Sequence, residues 1–176
     1  MEYNHDVLKE QASARIRQFA KTALVISVLF FIGQTFLYLR RIIWNLAYPN
    51  PLPGMTPIGY PTGDLIVKCI LTDSTLILLT VLFSRLRKTG LPFTQTNSIL
   101  LTAAGILQGL YAVLPAFFWL GTVLRYNAFS EPHIYLQFFR PNVMNYLSLS
   151  FCILLLFLAR TFRYGAALQQ ESDETL

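Results

Sequence analysis

Histidine and cysteine are nearly absent from this chain, with two of each among 176 residues. Cys69 and Cys152 both fall inside long apolar runs, which argues against a disulfide framework or a multi-cysteine metal site and leaves both thiols as small buried hydrophobes. Charge is scarce as well. Asp, Glu, Lys and Arg together make up 13% of the residues, about half the share typical of a soluble domain. No P-loop, nucleophile elbow, HExxH helix or paired-carboxylate signature occurs, so neither an enzyme nor a bound cofactor is expected.

What the chain has in abundance is apolar length. Hydrophobic residues reach 54%. Four runs, residues 22–39, 65–83, 99–121 and 141–159, each approach the roughly 20 residues that cross about 30 Å of hydrocarbon. The expected fold is all-α: one membrane domain built as a four-transmembrane-helix bundle in the lipid bilayer, with an N-terminal segment 1–21 and a C-terminal tail 160–176 outside it. The first run is preceded by a polar segment and followed by Arg40 and Arg41 in place of a small-residue cleavage site, so it is expected to stay in the protein. Ahead of it, Leu8, Ala12, Ile16, Phe19 and Ala20 recur at helical spacing. That pattern fits either an amphipathic helix on the membrane surface or a plain extension of the first span.

The formal charge of +5 would suit nucleic acid, but its placement argues against direct binding of nucleic acid. Nine basic residues, Lys9, Arg15, Arg17, Lys21, Arg85, Arg87, Lys88, Arg160 and Arg163, border the spans on one side, against four, Arg40, Arg41, Arg125 and Arg140, on the other. By the positive-inside bias both termini are expected to be cytoplasmic.

Between Trp44 and Gly63, five prolines and three glycines predict an ordered, non-helical external cap, with Trp44, Tyr48 and Tyr60 as interfacial anchors. The turn on the other side has its own logic. Gly90 can end the second helix in a left-handed cap, Pro92 keeps Leu91 out of the helical region, and Thr94, Thr96 or Asn97 can cap the third helix. Pro115 should kink the third span. Glu131 and His133 in the loop after it lack further ligands for zinc, since His5 is predicted on the far side of the membrane.

Asp73 is the anomaly. It lies near the middle of the second span, where an ionisable group is costly unless it faces protein or water. Gln34, Gln108 and Ser148 fall at a similar depth on the other three spans and could hydrogen-bond with it across the helices. Lys68, about 140° around the helix from Asp73, reads as an interfacial anchor whose stem snorkels. Gly105 and Gly109 form a G-x-x-x-G pair suited to close packing inside the bundle, or alternatively to dimerisation.

The turn Gly90-Leu91-Pro92-Phe93-Thr94 with Asn97, the glycine-bearing third span and the acidic end with Glu171, Asp173 and Glu174 together resemble the bacterial DUF2975 family of four-span membrane proteins. The chain departs from the family at residues 100–102, where an arginine is typical and Leu100, Leu101 and Thr102 stand. The resemblance implies the four-span fold and a small helix-turn-helix regulator as partner. Arg85, Arg87 and Lys88 with the acidic tail would then present the binding surface, and the protein would be a non-enzymatic sensor or regulatory partner. Two alternatives stay open: a small transporter or channel-like protein, functioning as a homo-oligomer and using Asp73, and a membrane-protective immunity protein.

Overall fold

A computed structural model describes residues 2–47, 62–125 and 143–174. They form four helices: α1, Glu2–Ala47; α2, Thr62–Thr89; α3, Gln95–Arg125; and α4, Val143–Glu174. Each contains a stretch long and apolar enough to cross a membrane, Glu10–Ala47, Leu65–Thr89, Gln95–Leu114 and Tyr146–Ser172. The protein is all-α, a four-helix bundle that fits a multi-pass membrane protein whose apolar flanks meet lipid.

The helices outrun the apolar runs. α1 is continuous over 46 residues, about 69 Å at 1.5 Å per residue, so the N-terminal segment extends the first span instead of forming a separate surface helix. Past Arg160, α4 also continues, taking the acidic end into the same helix. Hydropathy marks where a helix leaves an apolar solvent, whereas backbone hydrogen bonding can carry on well past that point. α3 runs unbroken through Pro115. Residues 44–47 and 62–63 of the expected external cap are helical; its remainder, with Tyr48 and Tyr60, lies outside the described residues, as do Glu131 and His133.

Packing follows chain order, α1 on α2, α2 on α3 and α3 on α4, with no comparable seam joining α1 to α4. The buried apolar core draws Ala20 from α1, Leu79, Leu82 and Leu86 from α2, Leu101 and Ala104 from α3, and Leu155 and Ala159 from α4. All four helices therefore meet near the α2–α3 turn. Gly105 and Gly109 face α4. A Cβ on Gly105 would lie 3.0 Å from Leu156, and one on Gly109 would lie 3.1 Å from the Cys152 sulfur. The G-x-x-x-G pair is thus used inside the bundle, where the absent side chains let two backbones approach.

Candidate functional site

Two polar regions stand out, one within the apolar length of the bundle and one at the end bearing both termini. In the first, Asp73 is half-buried against α1. The Thr35 hydroxyl donates toward its two carboxylate oxygens at 3.1 and 3.2 Å, and the Cys69 thiol, one turn before Asp73 on α2, lies 3.4 Å from Oδ2. The carboxylate's hydrogen-bond partners are thus on α1 and α2.

The four polar residues grouped by depth do not form one cluster. Gln108 of α3 donates to Ser148 of α4 at 3.1 Å, so these two are brought together. Asp73 is on the other helix pair. Gln34 is half-buried and has no hydrogen-bond partner among the described residues; it borders a groove lined by Leu29, Phe30, Gly33 and Leu37. The reason is rotation: neighbouring residues on a helix point about 100° apart, so α1 turns Thr35 toward Asp73 and Gln34 aside. Lys68 does not snorkel to the interface; it is buried at 7% exposure and is not without a partner.

Other polar links stitch the helices. Thr80 donates to the Leu76 carbonyl at 2.7 Å, which commits its proton and makes Ser27 the donor across the 2.9 Å contact between the two hydroxyls. Tyr38 and Tyr111 bring their hydroxyls within 3.3 Å across α1 and α3. Ser98 of α3 donates to the Ala159 carbonyl of α4 at 2.8 Å. No cluster of three His, Cys, Asp or Glu side chains suited to a metal occurs among the described residues.

The second region is the turn between α2 and α3. Gly90 has φ +69°, and its N–H reaches back to the Leu86 carbonyl at 2.8 Å, a left-handed cap. Thr94 caps α3: its hydroxyl accepts from the Asn97 N–H at 3.2 Å, and its carbonyl accepts the Ser98 N–H at 3.1 Å. Asn97 is 1% exposed. Its amide Nδ2 donates to the carbonyls of Leu91 and Pro92 at 3.2 and 3.0 Å, tying off two backbone acceptors that the turn leaves without helical partners.

Both outer helices grip this turn. A Cβ on Gly90 would lie 2.9 Å from the Arg17 Nε and 3.2 Å from the Ser13 Cβ, so α1 crosses directly over it. On the other side Phe93 packs edge-on against Phe162 at 5.5 Å, and a Cβ on Gly165 would lie 2.6 Å from the Phe93 ring. Pro92 is half-buried, while Arg85, Arg87 and Lys88 are exposed. Glu171 is exposed and engaged elsewhere in the chain, and Asp173 and Glu174 continue the α4 backbone in its last turn.

Sequence reasoning located the turn's own residues but missed Thr35, Cys69, Arg17, Phe162 and Gly165. Cys69 was findable, since it precedes Asp73 by four residues and so shares its helix face. The others depend on how separate helices rotate against each other. No family model, curated protein or solved structure matches this chain.

Proposed function

We propose that the chain is a non-enzymatic protein of a bacterial inner membrane, of the DUF2975 type, whose cytoplasmic end docks a small soluble DNA-binding regulator. The observation that supports this reading is the construction of that end. Residues 2–12 of α1 and residues 166–174 of α4 continue as helices beyond their contacts with the α2–α3 turn. They reach about 16 and 13 Å past it and flank a turn locked by Asn97, Gly90 and Thr94. Rigid elements of this length offer a soluble protein a defined surface without disturbing the lipid-embedded helices.

The charge pattern suggests how docking would regulate. A DNA-binding face is basic, and the acidic end of α4, with Asp173 and Glu174 in its last turn, would offer it carboxylates in place of phosphates. Membrane capture and DNA occupancy then compete for one face of the regulator. Both would weaken as salt rises, because exposed charges are screened.

Removing residues 166–176 tests the proposal, with a small helix-turn-helix regulator of the kind that the resemblance implies as the probe. The truncated protein should insert and unfold like the full chain while losing the regulator in a binding titration. Unchanged affinity for the same regulator would rule out the α4 extension as the docking element.

A further inference from the structure

Gln34 is set in an apolar groove and has no hydrogen-bond partner among the described residues. Midway between Lys21 and Arg40, which bracket the apolar part of α1, is residue 30 or 31. Gln34 is therefore only about 5 Å from the centre of the hydrocarbon, too deep for a short amide side chain to reach water. An amide there is costly unless something accepts and donates to it. Phe30, Gly33, Gln34 and Leu37, at spacing i, i+3, i+4 and i+7, outline the kind of four-residue hole that receives a knob from a facing helix. Nothing within 4 Å of Gly33 would meet a Cβ, and Phe30 and Leu37 are 60% and 50% exposed.

We infer that this groove is the seam of a parallel two-fold dimer, α1 against the α1 of a second copy, with the two Gln34 amides hydrogen-bonded to each other. The identity of the occupant follows from depth and chemistry. A copy inserted in the same orientation carries its own Gln34 at the same level, and an amide is self-complementary, donating through Nε2 and accepting through Oε1. Gly33 lets the two backbones come close enough for the amides to meet. Among the described residues α1 forms no extended seam with α4. The inference is independent of the regulator proposal, because it concerns the opposite part of α1 and needs no soluble partner.

The test is oxidative cross-linking in native membranes, in a Cys69→Ala, Cys152→Ala background. Single cysteines at Phe30, Gly33 and Leu37 report on the proposed seam, and single cysteines at Val28, Ile32 and Leu39 report on another exposed face of α1. Cross-links confined to the first set are expected; cross-links on both faces alike, or on neither, would overturn the dimer. Subunit counting in liposomes adds a quantitative arm. Gln34→Leu should raise the dimer dissociation constant about 3- to 30-fold. Gly33→Leu should abolish the dimer and leave the unfolding temperature of the detergent-solubilised protomer unchanged, since the protomer has open space there. An undiminished dimer in both variants would refute the seam.

Discussion

The Thr35 hydroxyl stands 3.1 and 3.2 Å from the two carboxylate oxygens of Asp73 and 2.8 Å from the carbonyl of Phe31. One hydroxyl proton cannot serve both acceptors at the same moment. An amide at position 73 removes the competition, because its NH2 donates to Thr35 Oγ1 and leaves the Thr35 proton for Phe31. Asp73→Asn is therefore expected to keep the fold with an unfolding temperature no lower than the parent. Asp73→Leu loses the link between α1 and α2 and about 1 kcal/mol. Thermal unfolding in detergent decides this, and a leucine variant as stable as the parent would show that the link contributes nothing.

At the turn, two glycines are required for different reasons. Gly90 has φ +69°, where any other residue pays about 1–2 kcal/mol, and Arg17 must also move. Gly165 is helical, but its missing Cβ is the space that the Phe93 ring occupies. Gly165→Ala should cost about 1–3 kcal/mol through overpacking despite its better helix propensity. Chemical denaturation of both variants would register the losses, and a stabilised Gly165→Ala protein would mean that Phe93 has another place to go.

Asn97→Ala should release the Leu91 carbonyl, leave the Pro92 carbonyl with only the Thr94 N–H, and cost about 1–3 kcal/mol. Asn97→Asp should be worse, since an acceptor-only carboxylate would then face two carbonyl oxygens. Amide hydrogen exchange across residues 90–98 should accelerate in both. Protection equal to that of the parent would show that backbone caps alone hold the turn.

Topology follows from the nine-to-four division of basic residues flanking the spans. Single cysteines replacing Lys88 and Thr56, the latter outside the described residues, should behave oppositely toward an impermeant thiol reagent. In cells with a permeabilised outer membrane, Thr56→Cys should label and Lys88→Cys should not. The reverse pattern would invert the proposed orientation.

Much of the fold was legible because it depends on local properties. Apolar run length marks four helices, and Gly90, Pro92 and Thr94 mark a turn, since capping and φ preference are settled within a few residues. The candidate site was only half legible. The pairing of Gln108 with Ser148 follows from depth, yet depth also suggested Gln34 for Asp73, and Thr35 holds that place. In spans that are apolar nearly all round, hydropathy carries little information about which face a residue takes.

The sequence by itself determined that this protein is helical, apolar over four long stretches and sharply turned between α2 and α3, because solvent transfer and local backbone geometry act residue by residue. Only the tertiary structure decided that Asp73 meets Thr35, that Lys68 is buried, and that Arg17 and Phe162 grip the turn. It also decided that Gln34 is left facing outward. Those outcomes rest on the rotation of each helix about its axis, which is set by the packing of side chains from different helices at Ala20, Leu86, Gly105 and Gly165, and no single helix contains that information.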